Sequence, residues 1–250
     1  MGSIMKKYLL TTASVLAIAS HASAADMPAA PRAVVPDALW SGWYLGLQGG
    51  VVSNSGSFHD LTFSGGGDHA IDQIGGAVGV NGRWLRQSDS FVYGIEADWM
   101  WVPTRARQTW GFPVITATQT QLTVGPDWIA TVRGTMGLAL NATLVYVTGG
   151  VAFGDVRNNN TRFPLGGGPA IQIWDDNSTR IGWTTGFGVA HQVTRAWTVR
   201  AEGRYVDLGR RTVDCTTTGP APFCSIGGAN YRGEFNNHLF MGLVGLDFKF

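Results

Sequence analysis

The chain has 250 residues, of which 14% are charged and 11% aromatic, with 35 glycines, 10 tryptophans and a formal net charge of +1. Low charge with high aromatic content excludes a disordered polar chain, and the near-zero net charge with no basic tract excludes an electrostatic nucleic-acid binder. No apolar run reaches the roughly 18 residues that a membrane-spanning helix requires, so helical spans are excluded as well. A soluble α/β enzyme, with about 25% charged residues as its usual share, fits these figures poorly.

Met1–Ala24 reads as a secretory leader. Lys6 and Lys7 form its positive end, Tyr8–Ile18 its short apolar stretch, and Ala22-Ser23-Ala24 its small-residue cleavage site. Ala25–Leu39 carries three prolines and no alternation, which marks an extended linker ahead of the folded part, Trp40–Phe250.

From Trp40 the dominant signal is a period of two, the mark of strands with two different faces. In chain order, one face carries Trp43, Leu45 and Leu47, then Ile74, Val78, Val80 and Trp84, then Phe91, Tyr93, Ile95, Ala97 and Trp99. The fourth segment carries Trp128, Ala130, Val132, Met136 and Leu138, and the fifth Val145, Val147, Val151 and Phe153. Ile181, Trp183, Phe187 and Val189 follow, then Trp197, Val199, Ala201 and Tyr205, and last Phe240, Val244, Leu246 and Phe248. These eight segments predict an all-β fold, an eight-stranded antiparallel transmembrane barrel of up-and-down connectivity.

Connection lengths select the barrel over a sandwich. Ser53–Ala70, Val102–Asp127, Val156–Thr179 and Arg210–Arg232 are long and polar or Gly-rich, whereas Arg86–Ser90, Leu140–Ala142 and Thr194–Ala196 are short. Long and short alternate, as outside loops and periplasmic turns do. Both chain ends then belong to the short-turn side. Aromatic residues gather at both ends of the strands, as two interfacial girdles require.

The opposite strand faces carry charge: Arg83, Glu96, Asp98, Arg133, Arg200, Glu202 and Arg204. Such residues facing lipid would cost about 2–4 kcal/mol each near the bilayer midplane. The expectation is an inward network of Glu96, Asp98, Arg133, Arg200, Glu202 and Arg204, with forked guanidinium groups gripping carboxylates. An eight-stranded barrel holds only its own side chains, so the lumen is expected to be filled. Inward glycines, among them Gly150, Gly186 and Gly188, leave space for the large groups.

Cys215 and Cys224, nine positions apart in the last long connection, are expected to form a disulfide in an exported chain; free thiols or a metal pair are the alternatives. His59 and His69 are the histidines able to touch haem iron from a surface loop, although solvated loop histidines are the simpler reading. No inward position pairs a nucleophile with a base, which argues against an enzyme. Gly75-Gly76-Ala77-Val78-Gly79 lies inside an alternating strand without a following helix, so it is not a phosphate cradle. No cofactor is expected.

Ala25-Asp26-Met27-Pro28, Trp40-Ser41-Gly42-Trp43-Tyr44-Leu45-Gly46, Tyr93-Gly94-Ile95-Glu96-Ala97-Asp98 and Ala130-Thr131-Val132-Arg133-Gly134 together have a familiar pattern. With Tyr146-Val147-Thr148-Gly149-Gly150, Arg200-Ala201-Glu202 and Tyr205-Val206-Asp207-Leu208-Gly209, the chain resembles the small alphaproteobacterial outer-membrane barrels of the 25/31-kDa RopB type. That resemblance implies an integral outer-membrane protein related to OmpA-like and opacity-type barrels, porin-like or immunogenic at the surface, some members haem-binding. It implies lipid and lipopolysaccharide as neighbours, and Phe250 as the aromatic end read by the barrel-assembly machinery. The cysteine pair departs from many relatives.

Overall fold

Strands form because the alternating segments are rich in Val, Ile, Trp and Tyr, and they end where turn-forming residues interrupt them. Asp89 and Asn141 take up positive φ of 54° and 56° in two-residue turns, a conformation that Asp and Asn tolerate better than other side chains. The computed structural model describes residues 39–61, 69–104, 106–112, 118–164, 166–168, 170, 172–216, 224–226, 229–230 and 232–250. The leader Met1–Ala24 and all of the linker except Leu39 lie outside these residues.

The strands are β1 (Gly42–Asp60), β2 (His69–Ser88), β3 (Phe91–Trp101), β4 (Ala106–Phe112), β5 (Thr118–Val124) and β6 (Pro126–Leu140). After them come β7 (Thr143–Pro164), β8 (Gln172–Gln192), β9 (Trp197–Asp214), β10 (Ser225–Ile226), β11 (Ala229–Asn230) and β12 (Arg232–Lys249). Eight of them close a ring in the order β1–β2–β3–β6–β7–β8–β9–β12, with every neighbour antiparallel. The chain ends meet the short turns: the Lys249 N–H donates to the Ala196 carbonyl and the Phe250 N–H to that of Trp43.

The apolar faces point outward over one continuous band. Leu47, Ile74 and Phe187 are 66%, 78% and 65% exposed, while Gln48 on β1 and Thr184 on β8, of the opposite parity, are buried. This inversion of the usual rule is what a lipid-facing wall requires.

The long connections depart from the sequence expectation. They are largely strand, because β1 runs on to Asp60, β7 to Pro164 and β9 to Asp214, and Val102–Asp127 contains the hairpin β4–β5. Beyond the lipid band both faces of a strand meet water or other polar groups, so runs such as Ser53-Asn54-Ser55-Gly56-Ser57 lose hydrophobic alternation while keeping their ladder. A strand needs only about ten residues to cross the bilayer, and the ladders exceed it.

Above the band the wall divides into two four-stranded sheets. One is β9–β12–β1–β2; in the other, β4–β5–β7–β8, β5 pairs with β7 from Thr118 opposite Pro164 to Thr123 opposite Asn159. The β8–β9 ladder stops at Trp183 opposite Asp207, beside a bulge in which Leu208 and Gly209 (φ 71°) together face Asn237. Higher up, that boundary is laced, among the described residues, by the Ile173–Thr216 bridge, by the Arg180 Nη1 bond to the Gly209 carbonyl at 3.4 Å and by the Arg211–Asp176 ion pair at 3.4 Å. Phe58, Phe235 and Val213 from one sheet pack with Leu122 and Trp174 from the other.

Candidate functional site

The inward residues stack in layers along the barrel axis. At the short-turn end Trp40, Tyr44, Leu85, Val92, Leu144 and Tyr146 form a buried apolar plug. Tyr44 donates to the Trp40 carbonyl at 3.1 Å, and the Trp40 N–H donates to Gln87 Oε1 at 3.0 Å, so the residue that opens the folded region is pinned inside the mouth.

The charged layer lies above the plug. Arg133 is its hub: Nη2 reaches Glu96 Oε1 at 2.8 Å and Asp98 Oδ2 at 2.9 Å, while Nη1 reaches Glu202 Oε1 at 2.5 Å and Thr148 Oγ1 at 3.0 Å. Arg200 Nη1 joins Glu96 Oε1 at 2.8 Å and Glu202 Oε2 at 3.3 Å, and Arg204 Nε joins Glu202 Oε1 at 2.9 Å. Arg204 Nη1 also holds Asp98 at 3.1 Å. The six residues expected to form the network are thus in one ion-paired cluster, with side chains at most 2% exposed.

The expected network leaves out Arg83, which parity places inward, together with Asp247 and Tyr146. Arg83 pairs with Asp247, whose other oxygen accepts from Asn81 Nδ2 at 2.9 Å, and Asp247 also lies 3.5 Å from Arg200 Nε. The Tyr146 hydroxyl donates to Glu202 Oε2 at 3.0 Å. Signals for these were present: Arg83 lies directly opposite Glu96, and Asp247 shares the inward parity of the last strand. With them, Arg83, Arg133, Arg200 and Arg204 face Glu96, Asp98, Glu202 and Asp247, so opposite formal charges balance.

Glycines make room for these groups strand by strand. Arg133 lies opposite Gly150, Arg200 opposite Gly245, Arg204 opposite Gly186, Glu202 opposite Gly188 and Asp247 opposite Gly46. At Gly188 a Cβ would run into the Tyr146 ring. Each large polar side chain can therefore lie flat across the lumen over its neighbour's backbone. Three hydroxyls join the layer: Thr131 donates to Asp98, Tyr146 donates to Glu202, and Thr148 accepts from Arg133.

Above the charges, Val52, Met100, Val102, Ile129, Val206 and Leu239 belong to a second apolar layer. The disulfide joins Cys215 and Cys224, and both cysteines pack into the cluster of Phe58, Trp174 and Phe235 between the outer sheets. Arg180 pairs with Asp176 at this level.

His59 lies at the end of β1, exposed on the outward face. His69 opens β2 opposite Phe58, and its side chain lies outside the described residues. Among the described residues no group of three His, Cys, Asp or Glu side chains could hold a metal ion. Phe250 is 71% exposed at the short-turn end, its ring 5.6 Å from that of Phe248.

Comparison with known proteins agrees with this architecture. The chain is 28% identical to a 31 kDa outer-membrane immunogenic protein of Brucella melitensis over 266 aligned residues, covering 98% of this chain and 100% of the relative. It is 32% identical to a 22 kDa outer membrane protein of Rhizobium leguminosarum bv. viciae, covering 84% of this chain and 79% of that one. Among solved structures, the outer membrane protein OprG of Pseudomonas aeruginosa aligns over 84% of this chain and 97% of its own, at 14% identity and a TM-score of 0.46. Residues 10–248 match the model of the outer membrane protein beta-barrel domain, and with a closed ring of eight strands wearing its apolar face outward, the chain belongs to that outer-membrane family.

Proposed function

We propose that this protein is a sealed barrel, serving envelope structure and surface contact rather than the passage of hydrated solutes along its axis. The observation supporting this reading is the charge-balanced layer of Arg83, Arg133, Arg200 and Arg204 with Glu96, Asp98, Glu202 and Asp247, buried across the lumen on top of the Trp40 plug. An ion entering this layer would have to displace guanidinium–carboxylate pairs that have little water to replace them. Reconstituted into planar bilayers, the mature chain is expected to give no discrete conductance steps. Reproducible unit steps from the wild-type chain would overturn the sealed reading and favour a narrow porin.

The same proposal gives the ends of the chain their roles. The Met1–Ala24 leader directs export and is removed, and Ala25–Leu39 spaces the barrel from the mature start. Phe250, aromatic and exposed at the end of an alternating strand, is the mark read by the barrel-assembly machinery. Phe250→Ala is expected to lower the amount of folded barrel in the outer membrane, and unchanged levels in membrane fractions would remove that role. Lipid and lipopolysaccharide are the neighbours of the outward face.

A further inference from the structure

The aromatic cluster above the lipid band has its disulfide on the solvent side. Among its described buried members, Cys215 and Cys224 are the most exposed at 9% each, whereas Trp174 is 1% and Phe235 0% exposed. Beneath them the Phe58 ring lies 5.5 Å from that of Trp174 and 5.0 Å from that of Phe235. A small reagent in water therefore meets the cysteines before it meets the rings.

The bond joins two segments that have little backbone pairing of their own. Cys215 follows Asp214, the end of the β9–β12 ladder opposite Arg232. Its neighbour Thr216 exchanges backbone bonds of 2.9 and 2.8 Å with Ile173, and its hydroxyl donates to the Ile173 carbonyl at 3.2 Å. Cys224 directly precedes β10, whose ladder with β11 has two pairs and, among the described residues, is separate from the barrel's sheet. A two-stranded hairpin of that size is marginal by itself in water. One bridge on one side and two pairs on the other leave the covalent bond as the main restraint on this cover. Lower down, the β8–β9 ladder from Trp183 opposite Asp207 to Gln192 opposite Thr198 contains neither cysteine.

From this arrangement we propose that Cys215–Cys224 is a thiol-opened clasp. A small thiol or dithiol outside the cell reduces it, Thr216 and the β10–β11 hairpin lift away, and the rings of Phe58, Trp174 and Phe235 become an apolar contact surface. In the chemical step a thiolate attacks one sulfur of the pair, giving a mixed disulfide and a cysteine thiolate, and a second thiolate displaces the mixed disulfide. The two incoming thiols leave joined as a disulfide. Cys215 and Cys224, reduced by two electrons, each take up one of the two protons those thiols gave. The lipid-crossing ring keeps its ladder, so the change is confined to the part of the molecule above the bilayer. The clasp lies above the charged layer, and a conductance result against the sealed reading would leave it standing.

The test uses the mature chain, folded and oxidised in vesicles of phosphatidylethanolamine and phosphatidylglycerol, then treated with dithiothreitol without denaturant. Alkylation of one portion with iodoacetamide, read by mass spectrometry, counts the free thiols. In the rest, hydrogen–deuterium exchange at the Ile173 and Thr216 amides is expected to quicken at least tenfold, while the β8–β9 ladder below Trp183 keeps its protection. Hydroxyl-radical footprinting is expected to oxidise Trp174 several-fold more in the reduced chain than in the oxidised one. Cys215→Ser with Cys224→Ser should show the open pattern without reductant. If that variant fails to fold, the wild type reduced after folding decides the matter. A bond that resists dithiothreitol in the folded chain would overturn the clasp. So would unchanged exchange and a shielded Trp174 with both thiols free, or a loss of protection that spreads into the β8–β9 ladder.

Discussion

Arg133 is the residue on which the inner layer converges, because it touches Glu96, Asp98 and Glu202 at once. Arg133→Ala leaves three carboxylates sharing Arg200 and Arg204, with one uncompensated charge, in a place that water reaches poorly. Removing one partner of a buried pair costs about 3–5 kcal/mol. The urea unfolding midpoint, followed by tryptophan fluorescence in vesicles, is expected to fall accordingly. Arg133→Met combined with Glu202→Gln restores charge balance, so the double variant should lose less than Arg133→Met alone. Equal midpoints for Arg133→Ala and the wild type, or a double variant that simply adds two separate losses, would show that the pairs do not act as a unit.

At the scale of elements, the eight lipid-crossing strands were legible because oil outside and charge inside impose strict alternation on each. The turns were legible as well, since Asp89 and Asn141 are residues suited to positive φ. The upper walls were not. Asn158-Asn159-Asn160-Thr161 has the composition of a loop, yet each residue has a ladder partner on β8 and Asn158 and Asn160 are buried. Once the outer face leaves lipid, hydrophobic alternation disappears while backbone pairing persists, so composition and ladder part company. The site was legible to the same extent. Parity put Glu96 and Arg133 on one inner face, but the Arg83–Asp247 pair joins β2 to β12 over Gly46 of the intervening β1, a closeness that follows only from ring closure. The division into two outer sheets depends on the Gly209 bulge and on Pro103, which has no N–H with which to carry the β2–β3 ladder past Trp101, local interruptions whose consequence is set by which strands flank them.

For the whole molecule, the argument reduces to which face of the wall meets hydrocarbon. Val132 and Arg133 are consecutive on β6, one 55% exposed and the other buried at the centre of the charged layer. A one-residue shift in register would exchange them, so the fold depends on the bilayer holding the register as firmly as the lumen does. Val132→Arg places a guanidinium on the outer face within the apolar band, where it should cost about 2–4 kcal/mol, against about 0–1 kcal/mol near the interface. Asn236→Arg is the matching substitution on the outer face of β12, four residues beyond the Phe240 rim and beside Arg210. Unfolding midpoints measured in the same vesicles are expected to drop for Val132→Arg and to stay close to wild type for Asn236→Arg. In a detergent with a thin apolar shell the gap between the two should narrow, because the guanidinium at position 132 then reaches water more easily. If both variants unfold together in vesicles, the Val132 face does not lie against lipid, and the outward orientation of the apolar rows would have to be abandoned along with the inward assignment of the arginines.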